Sequence, residues 1–415
     1  MGGVALATIR PFKAFRPING IEQCFSCLPY DVFEEEEVRE IIKRNPNTFL
    51  KVTRSDADIS DPSYEDVYQK AKENLDDFIS RGCLIEEDKP YIYIYRETWK
   101  GSSQTGFFAT FSISEYDEGI IKKHELTRKE KEEDRTKHIV TLKAQTGPVF
   151  LSFKSFPKAK EITNKIIENT EILYCFYDEN NVKHELWRVQ NENDMAQIEH
   201  IFSNIDYLYI VDGHHRAASS SRAQKILKEQ DTNYTNEKPY NYFMAVAFPH
   251  DELRILPYNR IVKDLNNLRK EEFLERLSEH FEVEEAPCSP YSPENMHNFG
   301  MYLDKHWYKL RFKTTGNLDP VKNLDVQILQ DFVLDPILSI KDPRSDSRIH
   351  FIGGIRGLKE LEKWVDEKGW KVAFSMYPTQ MDQLFEIADN NKIMPPKSTW
   401  FEPKLRSGLL INKFD

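Results

Sequence analysis

Along the chain, segments whose hydrophobic residues recur with the period of an α-helix follow segments with the pattern of a β-strand. The segment 67–78 spaces apolar residues three or four apart and predicts an amphipathic helix, whereas the apolar run 207–211 predicts a buried strand. Strands and helices predicted in this way follow one another without repeats or low-complexity linkers. The pattern predicts a mixed α/β protein with three regions, residues 1–100, 101–250 and 251–415.

The strand 207–211 runs directly into Asp212–Arg216 and a predicted helix. Gly213 permits a tight turn or the close approach of a ligand, and the N–H groups of a helix start attract anions. The two imidazoles and the guanidinium of this corner add hydrogen-bond donors that suit phosphate oxygens. The alternative is an aspartate that only caps the helix. Five polar residues directly after an apolar strand favour the binding site, because unsatisfied polar groups are costly to bury.

A zinc or iron site formed by His214 and His215 is a further interpretation of the same corner. Adjacent residues on a helix do not face each other, so both rings reach one ion only with difficulty. The nearby sequence also lacks an H-x-x-x-H pair or a carboxylate at ligand spacing. We therefore favour anion binding over a transition-metal site.

A second polar cluster precedes a long charged helix. Thr127 and Glu130 match the capping-box pattern, which places His124 and Glu125 just before the helix start. Thr127 can meet an anion there, as the helix dipole favours, and Glu125 can act as a general base toward a hydroxyl group. Arg135, two turns further on, reaches the same site only if the fold bends it in. The alternative is an ordinary capped helix with solvated charges.

A proline-rich stretch near the C-terminus, Pro395–Thr399, combines a stiff backbone with one lysine and two hydroxyl groups. Lys397, Ser398 and Thr399 in such a segment can form a lid or wall over an anionic ligand. The alternative is a rigid segment that only packs against the rest of the chain.

Composition narrows the class of protein. The chain has 57 Lys and Arg against 68 Asp and Glu, a net charge of -11, which disfavours binding to nucleic acid or an anionic membrane. No apolar run approaches the roughly 20 residues that span a bilayer, and the first residues lack the pattern of a signal peptide, so a cytoplasmic location is expected. Cys24 and Cys27 form a single C-x-x-C without a matching second pair, and we interpret them as incidental thiols.

Seven motifs, taken in order, make the sequence resemble a widespread prokaryotic family, domain-of-unknown-function family 1015. They are Ile9–Phe12, Pro29–Val32, His124-Glu125-x-Thr127, Asp134-Arg135, Asp212–Arg216, Arg260 and Pro395–Thr399. The Asp212–Arg216 corner also resembles the phosphate-binding box of the ParB/sulfiredoxin-like nucleotide-binding fold. Members of that fold include free-serine kinases with the same five residues and an upstream glutamate base. The resemblance implies a ParB/sulfiredoxin-like core in residues 101–250, with additional N- and C-terminal α/β elements, the latter closing the site.

This resemblance implies a nucleotide-dependent kinase that phosphorylates a small hydroxylated metabolite. Free L-serine would be the preferred acceptor and O-phosphoserine the product, with ATP or ADP and Mg²⁺ supplying the phosphoryl group. Glu125 would take the hydroxyl proton, and Asp212 and His215 would complete the catalytic set. Asp212 would either hold the magnesium ion or orient the corner. The absence of a Walker motif from the sequence excludes a P-loop kinase but not this fold.

The remaining site residues are assigned by the same resemblance. Nucleotide or phosphate contacts are expected from His124, Thr127, Arg135, Gly213, His214, Arg216 and Arg260, and substrate contacts from Lys397, Ser398 and Thr399. We therefore expect His124, Glu125 and Thr127 to lie beside the corner in the folded chain. The alternative function is a non-catalytic nucleotide-binding switch or sensor. The acidic charge makes a nucleic-acid-binding regulator the least favoured interpretation. A homo-oligomer is compatible with the sequence.

Overall fold

The computed structural model describes residues 7–59, 64–313, 316 and 319–414. Its α-helices are α1 (Glu22–Phe25), α2 (Glu35–Arg44), α3 (Leu50–Thr53), α4 (Tyr64–Ser80), α5 (Ile113–Glu118), α6 (Lys129–Leu142), α7 (Pro157–Asn169), α8 (Glu192–Phe202), α9 (His214–Gln230), α10 (Lys270–His280), α11 (Asp325–Leu329), α12 (Lys359–Glu367) and α13 (Met381–Asp389). Its β-strands are β1 (Ile9–Arg10), β2 (Phe15–Pro17), β3 (Leu84–Glu86), β4 (Ile92–Trp99), β5 (Ser102–Ser112), β6 (Ile121–Lys122), β7 (Ala144–Gln145), β8 (Val149–Phe153), β9 (Ile172–Tyr177), β10 (Lys183–Val189), β11 (Leu208–Asp212), β12 (Tyr242–Pro249), β13 (Arg254–Leu256), β14 (Tyr258–Val262), β15 (Phe281–Glu285), β16 (Asn298–Leu303), β17 (His306–Phe312), β18 (Ile349–Gly353), β19 (Val372–Met376), β20 (Trp400–Glu402) and β21 (Asn412–Lys413). This mixture confirms the α/β class predicted from the hydrophobic pattern.

The chain forms two compact units. The first comprises Met1–Leu253 together with Pro403–Asp415, and the second comprises Arg254–Glu402. The predicted boundary near residue 250 lies close to this division. The predicted boundary at residue 100 falls in the turn between β4 and β5, which pair as one hairpin, so the sheet continues across it.

A mixed sheet, nine-stranded within the described residues, forms the centre of the first unit. Its order is β6-β11-β8-β12-β5-β4-β10-β9, with β1 beside β5. The pairs β8–β12 and β6–β11 are parallel. Strand β12 lies in the middle because its sequence is apolar on both faces, as buried strands require. Strand β11 is one position in from the edge, and its residues Leu208–Val211 are buried, as their apolar run predicts.

Helices cover the sheet of the first unit and bring two chain segments together. The amphipathic helix α4 buries Ala71, Leu75 and Phe78, the apolar positions that predicted it, in a core that also includes Ile411 from the C-terminal segment. Helix α6 packs against α9. Since the chain before α6 and the corner before α9 each lead into one of these helices, their packing places the two predicted polar clusters side by side.

The second unit contains an antiparallel sheet in the order β15-β17-β16-β19-β14-β18. Helix α12 packs on it and buries Leu361 against Ile261 and Ala373. Across the described residues of both units, no helix combines the length and apolar character that a bilayer crossing requires.

Candidate functional site

The polar corner begins where β11 ends, and an irregularity in the sheet shapes it. The pairing of β11 with β8 shifts register between Ile210 and Asp212, which bulges the chain at Val211. Gly213 then adopts a left-handed backbone conformation (φ 87°), and α9 begins at His214. A residue with a side chain would be strained in that conformation, so the glycine makes the sharp turn from strand into helix.

The first turn of α9 offers backbone N–H groups to a ligand. No side chain among the described residues caps this helix, and its first internal hydrogen bond runs from the Ala217 N–H to the Gly213 carbonyl. The N–H groups of His214, His215 and Arg216 precede that bond and have no partner within the helix. Such a helix start attracts anions, as the sequence predicts for this corner.

Asp212 lies between two cations. Its Oδ2 accepts a hydrogen bond from Arg216 Nη2 at 3.0 Å, and its Oδ1 lies 3.5 Å from Lys404 Nζ. Burial by itself would raise the pKa of Asp212, but Lys404 and Arg216 outweigh burial and hold the pKa below its usual value. Because both oxygens face cations, the predicted role of Asp212 as a magnesium ligand does not fit. The geometry fits the other role expected of Asp212, because it orients Arg216, which also donates from Nη1 to the Pro148 carbonyl.

The structure brings His124 and Glu125 to the corner. The rings of His124 and His214 meet edge to face with their centroids 4.5 Å apart, and Glu125 Oε2 lies 4.0 Å from His214 Nδ1. Both imidazoles are buried, whereas the Glu125 side chain is half exposed. Burial lowers the pKa of His124 to about 4 and holds the pKa of His214 well below its usual value, so both rings are neutral at pH 7.

His215 turns toward the start of α6. Its Nε2 accepts a hydrogen bond from the Arg128 N–H at 3.1 Å, and Arg128 is the N-cap residue of α6. The predicted capping box of Thr127 and Glu130 is therefore wrong, since Thr127 Oγ1 donates to Glu132 Oε2 at 2.9 Å instead. The physical reason is that an imidazole from α9 satisfies the N–H at the start of α6.

The Arg135 side chain points into the interior of the first unit and pairs with a carboxylate of its own helix. Its Nε donates to Asp134 Oδ2 at 2.7 Å, and its guanidinium lies over the Tyr30 ring, 4.4 Å from the centroid. Burial by itself would lower the pKa of Arg135, but Asp134 raises it, so the side chain stays charged. Arg135, Tyr30 and Arg216 line a cavity of about 40 Å³. Arg135 therefore lies beside one cation of the corner.

Arg260, another predicted phosphate contact, lies on β14 in the second unit. It is buried, and its Nη2 donates to the Lys397 carbonyl at 3.0 Å. Burial lowers the pKa of Arg260 to about 9, so it remains charged at pH 7. Arg260 lines a cavity of about 200 Å³ together with Lys341 and Arg344. Three cations around one cavity suit an anionic ligand.

The predicted substrate contacts lie on the loop Pro395–Thr399 of the second unit. Ser398 is buried, and its hydroxyl donates to the Pro395 carbonyl at 2.7 Å. Lys397 is exposed and has a left-handed backbone conformation (φ 57°), and Thr399 is half-buried. The Ser398 hydroxyl is thus engaged within the loop, while Lys397 extends to the surface. The roles assigned to these three residues stay predictions.

Comparison with protein families shows which family the chain belongs to. Residues 9–327 match the family described as "Protein of unknown function (DUF1015)". The chain belongs to this family. The resemblance inferred from the sequence is thereby confirmed, and the matched region includes the Asp212–Arg216 corner. The loop Pro395–Thr399 lies beyond it.

Similar solved structures are distant. A mutant free serine kinase in complex with AMP is 15% identical, with a TM-score of 0.36 over 71% of this chain and 87% of that chain. A conserved hypothetical protein from Pyrococcus furiosus is 15% identical, with a TM-score of 0.34 over 72% and 92%. SbnI with a C-terminal truncation, from Staphylococcus aureus, is 11% identical, with a TM-score of 0.35 over 72% and 84%. Likeness at this level does not bear on the chemistry of the site. No curated protein matches the chain in sequence.

Two residues that organise the corner fall outside the predicted set. Lys404 approaches Asp212, and Arg128 donates its N–H to His215. The contact of Arg128 is made by its backbone, so no side-chain motif could indicate it. Lys404 follows the proline-rich stretch, but nothing in the local sequence indicates that the chain returns to the corner there.

Proposed function

We propose that this protein is a nucleotide-dependent kinase that phosphorylates the hydroxyl group of a small metabolite, with free L-serine as the preferred acceptor. The observation that carries the proposal is the strand–glycine–helix corner Asp212–Arg216 with the Glu125 carboxylate beside it. The corner suits a phosphate, and the carboxylate suits a hydroxyl group. The choice of serine rests on the resemblance of the corner to the phosphate-binding box of free-serine kinases.

The corner supplies what phosphoryl transfer demands of a protein. Positioning and charge stabilisation account for most of the catalysis of this reaction. Backbone N–H groups at the start of α9 would bind the transferred phosphate, and Arg216 would add a charge-assisted contact. Asp212 and Pro148 already fix the Arg216 guanidinium. Nucleotide binding therefore loses little side-chain entropy at Arg216.

Glu125 would act as the general base. Its half-exposed carboxylate can accept the hydroxyl proton of a bound acceptor. The acceptor oxygen then forms a bond to the terminal phosphorus of the nucleotide, and the bond from that phosphorus to the bridging oxygen breaks. ATP would leave as ADP, or ADP as AMP. His215 would position the segment that carries Glu125 through its hydrogen bond with Arg128.

Magnesium enters this proposal as part of the nucleotide substrate. Mg²⁺ in such reactions is coordinated by phosphate oxygens and water together with one or two carboxylates. Asp212 does not fit as that carboxylate, because Arg216 and Lys404 flank its oxygens. We therefore assign no step to a magnesium ion held by Asp212.

Substitution of Gly213 by alanine is expected to weaken nucleotide binding about tenfold to a hundredfold, the range of one or two charge-assisted hydrogen bonds. A Cβ at this position would lie 2.8 Å from Arg216 Nε and displace the guanidinium. The matched control is Gly119→Ala. Gly119 has a similar φ of 81°, but its Cβ would meet nothing within 4 Å. Isothermal titration with ADP measures both variants, and equal affinities would contradict a role for the ordered Arg216.

Incubation of the purified protein with terminally labelled ATP or ADP and a panel of hydroxylated metabolites tests the function itself. We expect label to pass to L-serine and to yield O-phosphoserine. Transfer to a different acceptor would overturn the choice of serine but keep the kinase. Nucleotide binding without transfer to any acceptor would overturn the kinase and indicate a nucleotide-dependent switch or sensor.

A further inference from the structure

Two buried imidazoles and one carboxylate converge at the corner. His124 and His214 are 2% and 6% exposed, and their rings lie 4.5 Å apart between centroids. One ligand atom from each of His124, Glu125 and His214 lies within 4.8 Å of the other two. The metal site considered from the sequence paired His214 with its neighbour His215, whereas the fold pairs it with His124, 90 positions earlier.

Three of the four nitrogens of these two rings have no hydrogen-bond partner within the part of the chain that the structure describes. This holds for Nδ1 and Nε2 of His124 and for Nε2 of His214, all of them buried. The Ile210 backbone lies near His124 but outside hydrogen-bond geometry. His215 differs, because its Nε2 accepts the Arg128 N–H. Buried polar atoms are normally satisfied, so three such nitrogens in one place call for a group that binds them.

We infer that His124, Glu125 and His214 bind a divalent transition-metal ion of the zinc class. Two imidazoles and a carboxylate are a known ligand set for Zn²⁺, and they leave a coordination position for water or substrate. Mg²⁺ prefers oxygen ligands and suits this set poorly. Tetrahedral zinc with bonds of about 2.0–2.1 Å places its ligand atoms about 3.3 Å apart. The 4.0 Å between His214 Nδ1 and Glu125 Oε2 approaches that spacing, and rotation of the half-exposed Glu125 side chain can close it.

An ion bound in this cluster would regulate the proposed reaction. A Glu125 carboxylate that coordinates the ion cannot take the proton of an acceptor hydroxyl. One equivalent of Zn²⁺ would therefore inhibit phosphoryl transfer. This consequence rests on the proposed function, whereas binding of the ion does not.

Titration of the chelator-treated full chain with Co²⁺, a spectroscopic substitute for Zn²⁺, tests the site without any turnover. We expect one Co²⁺ per chain, displaced by equimolar Zn²⁺ but not by a large excess of Mg²⁺. His214→Gln should weaken binding by more than the about 10–100-fold that is typical for loss of an outer-shell partner. The matched control His200→Gln removes an exposed imidazole on α8, which lies outside the cluster, and should bind Co²⁺ as the unmodified chain does.

A second variant covers the case in which His214→Gln does not fold. Glu125→Gln changes a half-exposed side chain, should keep the far-ultraviolet circular dichroism of the unmodified chain, and should weaken Co²⁺ binding at least about tenfold. Absence of stoichiometric Co²⁺ binding overturns the metal site. Unchanged affinity in Glu125→Gln, or an equal loss of affinity in His200→Gln, also overturns it.

The two proposals fail separately. Phosphoryl transfer is assayed with Mg²⁺ in the presence of a zinc-selective chelator. If the protein transfers phosphate but binds no Co²⁺, only the metal-site proposal is overturned. If the protein binds Co²⁺ at the cluster but transfers no phosphate, only the kinase proposal is overturned. Inhibition of transfer by one equivalent of Zn²⁺, reversed by the chelator, supports the regulatory link, and full activity with the ion bound contradicts it.

Discussion

Glu125→Gln is expected to lower kcat by about 10²–10⁴-fold, the usual contribution of general base catalysis. Glutamine keeps the shape and hydrogen-bonding reach of the side chain but cannot accept the proton. Nucleotide affinity should change little, because the phosphate contacts come from the start of α9 and from Arg216. Steady-state kinetics with L-serine, together with nucleotide titration in the presence of a zinc-selective chelator, separates the two effects.

The matched control for this substitution is Glu130→Gln. Glu130 is an exposed residue in the first turn of α6, five positions further along the chain. It should turn over as the unmodified protein does. A normal kcat in Glu125→Gln would show that the base is misassigned. Asp31 would then be the next candidate, because it is exposed and its charge acts on His215. Asp134 is a weaker candidate, since Arg135 and Tyr68 both donate to it.

Arg406→Met is expected to destabilise the first unit by about 3–5 kcal/mol, the cost of breaking a buried ion pair by removing one partner. Arg406 is 3% exposed, and its Nη1 lies 3.3 Å from Asp178 Oδ2 and 3.1 Å from Glu179 Oε2. Its Nη2 donates to the Ser26 carbonyl at 2.6 Å. Methionine would fill much of the space but would leave the buried Asp178 carboxylate without its cation.

Urea unfolding followed by fluorescence measures this effect, and Arg39→Met is the matched control. Arg39 pairs with Glu35 on the surface of α2, where such pairs contribute about 0.2–1 kcal/mol. The control should therefore unfold within about 1 kcal/mol of the unmodified protein. If Arg406→Met lowers the free energy of unfolding by no more than Arg39→Met does, the buried network around Asp178 does not hold the C-terminal segment in place.

Local patterns predicted the elements around the site well. The apolar run before Asp212 became β11, and the glycine that follows made the turn into α9. Both features depend on a few neighbouring residues, so a single sequence contains them. The capping box at Thr127 failed for the opposite reason. A distant imidazole, that of His215, satisfies the N–H at the start of α6, and a local pattern cannot include such a partner.

Long-range pairing was beyond the residue pattern alone. The contact of His124 with His214 and the approach of Lys404 to Asp212 follow from the packing of α6 against α9 and from the return of the C-terminal segment. The family resemblance anticipated that His124 and Glu125 lie near the corner, but not which imidazole they meet. The return of Pro403–Asp415 to the first unit was also inaccessible from the sequence, because this segment joins that unit through contacts far apart in sequence.

A co-crystal structure with ADP tests the central claim most directly, namely that the Asp212–Arg216 corner binds the nucleotide phosphates. We predict that the terminal phosphate lies at the start of α9, within about 2.7–3.2 Å of the N–H groups of His215 and Arg216. A free hydroxyl site would then lie between that phosphate and Glu125. Phosphates bound elsewhere, for example only beside Arg260 in the second unit, would contradict the account.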